Sequence, residues 1–461
     1  MPGSSLYRTP VKLVGQELPR LCSEFRDEQI IRYYTFFSVE MILIIGPEAI
    51  SELCLSRSDS FSHSKAIELL AEAGLGYPGL LGARGETHKR LRKMFSQVFT
   101  PTTLSKIASP MWESCLSMVQ DLNHDASSIN ISQWASQSVL ELSGTGVFGQ
   151  DRKWLARYPD LAGSLKRRVA NGQIKKMALS IFPRPIRSLV MLTLFGRQEL
   201  ADLEYVEYVA QDLLKAEMQN SPDTTEPDRA INLISVMLED GSISKEQLLG
   251  HILIFLVGAS ETTSATFQWM TIELCRHPEV QKKLLDEIQL QWSSIYESGD
   301  DGKLFSQIKR LPYLRAVVEE SLRLYPAVVL TEHEATENTT IMDVPIPKGS
   351  ILLCPPLAAN SNHRLWGEDA AVFNPDRWLF RKSATQETIN QNPCANMTFS
   401  HGPRSCPGHS LARMMLSFLT VAFISQYEIS LQDPQQSFVP AEAVYAKPVP
   451  EVTVKLVEVC K

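Results

Sequence analysis

One cysteine of this chain stands in a turn whose composition suits a flat metal cofactor. Cys406 lies inside the decapeptide Phe399–Gly408 (FSHGPRSCPG), and an apolar helical pattern follows it. The N–H groups at a helix N-terminus stabilise a nearby sulfur anion, so the pattern predicts a thiolate that persists at neutral pH. Cysteine thiolate is one of the axial ligands that proteins offer to haem. We therefore interpret Cys406 as the axial ligand of a haem iron.

The other residues of the turn support this interpretation. Gly402 and Gly408 can adopt positive φ or let a macrocycle lie close to the backbone, and Pro407 suits a first helical turn. Arg404 supplies a cation for a propionate of the cofactor. A buried free cysteine in an ordinary loop is the alternative, but it explains neither the glycines nor the arginine.

A second group of chemically capable residues lies in the middle of a long predicted helix. Ser244 and Gln247 form a capping-box signature, and the helical pattern continues to about Arg276. Inside it, the polar island 258–263 (GASETT) follows an apolar run. Small residues and threonine favour local loosening of a helix, which would open a groove for dioxygen.

Glu261 and Thr262 of this island can relay protons through water. Dioxygen needs protons before its O–O bond breaks, and acid–base help of this kind contributes roughly 10²–10⁴ in rate. A cysteine thiolate on the other face of the cofactor donates electron density that favours the cleavage. Taken alone, two threonines after a glutamate in a helix usually indicate only a polar stripe.

A third set of charged residues predicts a scaffold. The pattern over 314–324 predicts a helix on which Glu320 and Arg323 lie one turn apart, and Arg377 stands in the later loop 373–378 (FNPDRW). On a surface, such a pair contributes well under ~1 kcal/mol.

Together these motifs resemble the cytochrome P450 superfamily. The cysteine segment matches its pattern Phe-x-x-Gly-x-Arg-x-Cys-x-Gly at every defined position, Glu261 and Thr262 match its acid–threonine pair, and the motifs follow the family's order. The resemblance covers roughly Ile31 to the C-terminus. The residues of its motifs are similar to those of fungal biosynthetic members. It implies a mainly α fold with a small β lobe, as a single catalytic domain over 30–461 after a lead over 1–29.

The resemblance also implies that Glu320, Arg323 and Arg377 are structural. The family buries this set, and losing one member of a buried charge cluster costs ~3–5 kcal/mol. Two positions depart from the family's pattern: Ala259 replaces a glycine of the oxygen motif, and Asp376 stands where glutamate is more common.

For the propionates of haem b, the resemblance indicates His88, Arg92 and Arg404. His88 replaces the tryptophan of the family's Trp-x-x-x-Arg helix, and His333 occupies the place of a second propionate arginine. Anchoring would then depend partly on histidine protonation and weaken above about pH 6.5. For each histidine, an ordinary structural role is the alternative.

Composition and charge exclude several other classes of protein. The chain has 461 residues, of which 44% are hydrophobic and 21% charged, an ordinary globular composition that can bury a cofactor. Its net charge of −7 argues against a nucleic-acid partner. The eight cysteines form no CxxC pair, so neither a zinc framework nor a dense disulfide scaffold is indicated, and a reducing compartment fits best.

Membrane attachment is left open by the sequence. Eukaryotic members of the family usually begin with a transmembrane helix, whereas Met1–Glu40 contains no uninterrupted apolar stretch of about 18 residues. A soluble or peripheral protein and a lost anchor are both compatible with this. Lys175–Arg197 mixes apolar and basic residues and could make a peripheral membrane contact; two core helices joined at Pro183 and Pro185 are the alternative. We expect an intracellular protein, in the cytosol or on the cytosolic face of the endoplasmic reticulum.

Electrons must come from elsewhere, because the chain contains no flavin or nicotinamide motif. The resemblance implies NADPH and a separate flavoprotein of the cytochrome P450 reductase type. The four cations between His88 and Lys93 could steer an acidic reductase domain; a solvated helix face is the alternative.

By analogy with the family, four mostly apolar segments contact the substrate, which is then a lipophilic small molecule. These segments are 62–81, Ile254 with Phe255, 327–331 and 440–445. The resulting hypothesis is a haem-dependent monooxygenase that hydroxylates or epoxidises such a molecule in secondary metabolism. The alternatives are a haem-thiolate enzyme that dehydrogenates or rearranges its substrate without oxygen insertion, and a non-catalytic haem-binding sensor.

Overall fold

A computed structural model provides the structure of the protein. The residues that it describes are 4–7, 17–34, 40–75, 77–122, 128–170, 197–219, 231–296, 301–379, 387, 391–441 and 445–459. Apart from Arg197, the predicted membrane-contact segment lies outside the described residues. So do positions 76 and 442–444 of the predicted substrate segments.

The helices make up most of the described chain. They are α1 (Glu17–Glu24), α2 (Pro47–Ser51), α3 (Lys65–Leu75), α4 (Gly79–Gly82), α5 (Gly85–Ser96), α6 (Pro101–Gln120), α7 (Ile131–Phe148), α8 (Leu161–Ala170), α9 (Arg197–Gln219), α10 (Leu233–Asp240), α11 (Lys245–Arg276), α12 (Pro278–Tyr296), α13 (Asp301–Lys309), α14 (Pro312–Leu324), α15 (Pro356–Asn360), α16 (His363–Trp366) and α17 (His409–Ile424).

The strands are short and form a smaller part of the molecule. They are β1 (Ser4–Tyr7), β2 (Ile30–Tyr34), β3 (Glu40–Ile44), β4 (Phe61–His63), β5 (Ser128–Asn130), β6 (Thr331–Ala335), β7 (Thr339–Ile341), β8 (Val344–Ile346), β9 (Ile351–Cys354), β10 (Tyr427–Leu431), β11 (Val439–Pro440), β12 (Pro448–Val449) and β13 (Thr453–Glu458). The predicted fold class, mainly α with a small β lobe, is confirmed.

The β lobe is built on a sheet of order β1-β2-β3-β9-β6-β4. Ile30 lies opposite Ile44 in the antiparallel pair β2–β3. Strand β1 falls within the predicted lead and pairs in parallel with β2. The pairing of β4 with β6 places His63 directly opposite His333. Smaller sheets of order β10-β13-β5, β7-β8 and β11-β12 account for the other described strands.

Helix α11 runs through the centre of the helical body and carries the polar island. Its first turn is closed by the capping box that the sequence predicts, with Ser244 and Gln247 each accepting from the other's backbone N–H. Helix α7 packs along α11. Most residues of α11 are buried. By length and composition it is the one described helix apolar enough to cross a membrane, but 72% of its apolar window is buried inside the protein.

Three elements surround the cysteine loop 397–408. Helix α17 follows the loop and is apolar because it packs between α6, α14 and α11. Helix α14 carries the predicted scaffold pair, and α5 brings its charged face to the loop. Helices α5, α14 and α17, which are distant in the chain, therefore meet at the cysteine loop.

Candidate active site

Cys406 lies at the end of a loop that folds back on itself. Its backbone N–H donates to the carbonyl oxygen of Phe399 at 2.8 Å, and its side chain is half-buried. Gly408 is the N-terminal cap of α17, and its N–H donates to the cysteine sulfur. Cys406 thus stands just before a helix N-terminus, whereas Pro407 lies before the first helical turn rather than inside it.

Two residues with left-handed backbone turn the chain inside this loop. Ser400 has φ 56° and Gly402 has φ 71°. A Cβ at Gly402 would stand 2.0 Å from the carbonyl oxygen of Cys54. Glycine is therefore required twice over, by conformation and by space. Of the two roles that the sequence offers for Gly402, the structure shows the positive φ, and the close neighbour is protein backbone.

The protein alone does not make Cys406 a thiolate. Burial raises the pKa of the thiol above its usual value, although the Gly408 N–H, Arg92 and Arg413 act in the opposite direction. Desolvation therefore outweighs the helix N-terminus and the cations, contrary to the sequence-based prediction. Coordination to a metal ion deprotonates a thiol outright, so an ionised Cys406 implies a bound metal.

Arg92 and Arg404 bring two cations to the loop. Arg92 donates to the carbonyl oxygen and the hydroxyl of Ser405, at 2.6 and 3.2 Å. Arg404 donates to the carbonyl oxygen of Ala83 at 2.7 Å. Neither forms an ion pair with a carboxylate within the described residues, and burial lowers the pKa of both. Both guanidiniums can therefore accept an anionic group.

Three histidines lie in the field of Arg404. The rings of His63 and His333 stack with centroids 6.0 Å apart, and His88 precedes Arg92 by one turn of α5. Burial, reinforced by Arg404, lowers the pKa of His63 and of His88 to about 4. Burial, reinforced by His63 and Arg404, lowers the pKa of His333 to about 3.

The protein by itself therefore holds these rings neutral at pH 6.5. The expectation that anchoring weakens above this pH because His88 and His333 lose a proton is not supported. A neutral imidazole still donates one hydrogen bond. Sequence analysis did not single out His63, because only the pairing of two strands distant in the chain brings it to His333.

The second predicted site lies on the central part of α11, which is buried except at one small window. Between residues 255 and 274, only Gly258, Ala259 and Thr262 are not fully buried. A Cβ at Gly258 would meet no neighbouring atom within 4 Å. The helix continues without a break through 258–263, so the opening comes from absent side chains and not from the predicted loosening of the helix.

Glu261 and Thr262 are adjacent but have different partners. The Thr262 hydroxyl donates to the carbonyl oxygen of Gly258 at 2.8 Å, which keeps it at the window. Glu261 is 4% exposed, and its Oε2 lies 2.8 Å from Nζ of Lys447. Sequence analysis missed Lys447, which reaches α11 from the far end of the chain.

Glu320, Arg323 and Arg377 form one buried cluster. Nε and Nη2 of Arg323 donate to the two carboxylate oxygens of Glu320 at 2.8 and 2.7 Å, and Nε of Arg377 donates at 3.0 Å. The Asn374 backbone N–H and Nε1 of Trp378 each donate to Glu320 at 2.9 Å. Five donors thus surround a carboxylate that is 0% exposed.

Asn360 connects this cluster to the cysteine loop. Its Nδ2 donates to the carbonyl oxygen of Arg323 at 2.9 Å and to the Thr398 hydroxyl at 2.8 Å. Its Oδ1 accepts from the Met397 N–H at 2.6 Å. Asn360 is fully buried, so the cluster fixes where the loop begins. Sequence analysis missed this residue, since an asparagine at the end of a short helix carries no signal of its own.

The family model described as Cytochrome P450 matches residues 12–454. The chain belongs to the cytochrome P450 family. The cysteine loop, the α11 window and the Glu320 cluster all lie within the residues that this family model matches.

Curated relatives of this cytochrome P450 span most of its length. Cytochrome P450 monooxygenase sphH of Aspergillus fumigatus is 28% identical over 456 residues, which cover 94% of this chain and 81% of the relative. Cytochrome P450 monooxygenase FSL4 of Gibberella zeae is 27% identical, over 91% of this chain and 78% of the relative. Cytochrome P450 monooxygenase ptmK of Penicillium ochrochloron is 26% identical, over 96% and 88%.

Haem is the cofactor of this family, and the donors of this cytochrome P450 fit it. Cys406 offers sulfur for the iron. Arg92 and Arg404 have no carboxylate partner within the described residues, and His88 and His333 add neutral donors beside them. A pair of propionates would supply the negative charge that these two buried cations lack.

The segments predicted to contact substrate come together in part. Val328 and Tyr445 form an isolated antiparallel bridge, and the Ala446 N–H donates to the carbonyl oxygen of Ala327 at 2.9 Å. Phe255 lies in an aromatic group, with ring centroids 5.0 Å from Phe95 and 6.1 Å from Phe99. The late loop, defined here as residues 445–447, thus lies against the segment that begins at Ala327.

The predicted basic patch on α5 is weaker than its sequence suggests. Arg92 turns inward to Ser405, Lys89 pairs with Glu86 at 2.8 Å, and Arg90 pairs with Asp240 at 3.1 Å. Pairing neutralises much of a local field, so the helix offers less positive charge to an acidic partner than the four cations imply.

Proposed function

We propose that this cytochrome P450 is a haem-dependent monooxygenase that hydroxylates or epoxidises a lipophilic small molecule in secondary metabolism. The observation that carries the proposal is the window of α11, where Thr262 is held at an opening next to the buried acid Glu261. The fungal relatives named as monooxygenases support it.

The balance of the reaction sets what the residues must do. One oxygen atom of dioxygen enters the substrate and the other leaves as water, which requires two electrons and two protons. Haem, when bound, supplies the reductive activation of dioxygen. We assign the electrons to NADPH through a separate reductase-type flavoprotein.

Cys406 would hold the iron, and Arg92, Arg404, His88 and His333 would hold the propionates. Gly408 places its N–H on the cysteine sulfur, which tempers the charge of the ligand.

Thr262 would present its hydroxyl at the window, and Glu261 would restore its proton through water. The Thr262 hydroxyl, which donates to the carbonyl oxygen of Gly258, can rotate to donate elsewhere, because a threonine hydroxyl both donates and accepts. Acid–base help of this kind contributes roughly 10²–10⁴ in rate.

We further propose an intracellular location, in the cytosol or on the cytosolic face of the endoplasmic reticulum. The described cysteines are all free thiols, which is what a reducing compartment favours.

The first experiment compares host cells that carry the native chain, Cys406→Ser or Cys275→Ser under heavy-oxygen-labelled dioxygen, with metabolites read by mass spectrometry. Cys275 is a free, half-buried cysteine and serves as the matched control. A labelled metabolite present with the native chain and Cys275→Ser, and absent with Cys406→Ser, is expected. An unlabelled product would favour rearrangement or dehydrogenation. No difference among the three would favour a non-catalytic haem-binding protein.

A second experiment tests the relay. Thr262→Ala should lower labelled product per NADPH by about 10-fold or more and release peroxide instead. Thr266→Ala is the matched control, since its hydroxyl donates to the carbonyl oxygen of Thr262 one turn further along the helix. Full coupling of NADPH to product in Thr262→Ala would remove Thr262 from the mechanism.

A further inference from the structure

Lys447 and Glu261 form a buried ion pair between the late loop and α11. Their charged atoms are 2.8 Å apart, and the side chains are 17% and 5% exposed. Within the described residues, the Glu261 carboxylate forms its ion pair with Lys447. The acid next to the Thr262 window is therefore held by a residue from outside the helix.

The backbone beside Lys447 is fixed at two places. Nε1 of Trp269 donates to the carbonyl oxygen of Ala446, and the Ala446 N–H donates to the carbonyl oxygen of Ala327 at 2.9 Å. Tyr445 bridges to Val328, and burial, together with the nearby Glu261 carboxylate, raises the pKa of its phenol. Lys447 is therefore anchored to segments that the sequence assigns to substrate contact.

Stability alone explains this pair poorly. The ammonium nitrogen of Lys447 is buried and makes no well-aligned hydrogen bond in the described part of the chain, and a buried pair with unsatisfied donors gains little over apolar residues. Orientation explains it better, because the contact turns the Glu261 carboxylate to the late loop while Thr262 donates to Gly258.

We propose that Lys447 is a positioning residue that couples proton delivery to the substrate loop. It holds Glu261 by one oxygen, so the position of the late loop sets whether the carboxylate can serve Thr262 through water. A substrate that displaces the segments at Ala327 and Tyr445 moves Lys447 with them. The inference rests on the monooxygenase function proposed above.

The test measures labelled product and peroxide per NADPH in the holoenzyme with a reductase, in the host extract that supplies the substrate. Lys447→Met should shift about fivefold more of the NADPH into peroxide, and Lys447→Arg should stay within about twofold of the native protein. Lys455→Met is the matched control, an exposed lysine on β13, and should behave as native.

A double variant separates positioning from mere structure. If Lys447 acts through Glu261, Lys447→Met should add nothing to Glu261→Gln in the peroxide fraction. A peroxide fraction that stays native in Lys447→Met, or that Lys447→Met raises equally with and without Glu261, would overturn the inference.

The proposed function fails in a different way. If Thr262→Ala and Glu261→Gln leave product per NADPH unchanged, the relay itself is wrong. If both divert electrons to peroxide and Lys447→Met does not, only the role of Lys447 is wrong.

Discussion

Two buried carboxylates on neighbouring helices show opposite designs. Five hydrogen-bond donors surround the carboxylate of Glu320. Three of them belong to Arg323 on the same helix and to Arg377 in a later loop. Glu261 is held by Lys447 alone within the described residues, and that ammonium is itself not fully hydrogen-bonded. The first carboxylate is fixed by five hydrogen bonds at once, whereas the second is held by one charged contact.

The difference separates a structural charge from a chemical one. A saturated cluster keeps its geometry because each displacement breaks several hydrogen bonds at once. A carboxylate with one partner can change partners at low cost, as a proton carrier must. Four substitutions can break or sharpen this contrast, and we order them by their expected effect on the free energy of unfolding.

Glu320→Gln should have the largest effect, about 3–5 kcal/mol of destabilisation, because it removes the buried counter-charge of Arg323 and leaves Arg377 paired with the half-exposed Asp369. The loss should appear in urea unfolding and as a low yield of haem-loaded protein. Asp369→Asn is the control: Asp369 pairs with the same Arg377 at 3.0 Å, but its side chain is 50% exposed, so it should cost under ~1 kcal/mol. Equal effects of the two substitutions would contradict the distinction.

Asn360→Ala should cost about 2–3 kcal/mol, since it leaves the Met397 N–H and the Arg323 carbonyl unpaired in the interior. Because Asn360 sets the start of the cysteine loop, the absorption spectrum of the bound haem should also change. Asn362→Ala is a matched comparison, as its side chain only caps α16, and its spectrum should be native. An unchanged spectrum in Asn360→Ala would mean that the loop is fixed without the cluster.

His251 is a buried titratable side chain with even fewer hydrogen-bond partners than Glu261. Both ring nitrogens are buried without a partner in the described part of the protein, and burial, reinforced by Arg90, lowers its pKa to about 4. The folded protein therefore binds fewer protons than the unfolded chain below pH 6.5, and stability falls as the pH drops toward 4. His251→Leu should reduce the loss between pH 7 and pH 5 by roughly 2 kcal/mol, measured by urea unfolding at both pH values. An identical loss in native and variant would show that the pKa of His251 is the same in the folded and the unfolded chain.

Glu261→Gln should have the smallest effect on stability, about 1 kcal/mol, because the Lys447 ammonium sits on a flexible stem that can reach water once it is released. Urea unfolding of the haem-loaded variant provides the measurement. A loss as large as that of Glu320→Gln would place Glu261 among the structural charges.

Local patterns predicted much of this molecule. The capping box at Ser244 and the helix after Cys406 each depend on residues close in sequence, and each is present. The Glu320–Arg323 pair is likewise local, one helical turn apart. The third member, Arg377, came from the resemblance to the family.

What the sequence missed depends on contacts between distant segments. His63 meets His333 only because β4 pairs with β6, and Lys447 meets Glu261 only because the late loop crosses α11. The prediction that Cys406 ionises unaided was wrong for a related reason: the helix N-terminus is visible in the sequence, but the extent of desolvation is a property of the packed interior.

Gly402 carries a consequence for the history of the chain. Its φ of 71° and the 2.0 Å gap between its Cβ position and a carbonyl oxygen exclude every other residue unless the helical segment at Cys54 moves too. A lineage that drifts at this position must therefore change two distant stretches in the same step. In a mutational library that randomises position 402, most variants should therefore fail to close the cysteine loop, whereas a library that keeps Gly402 avoids this loss.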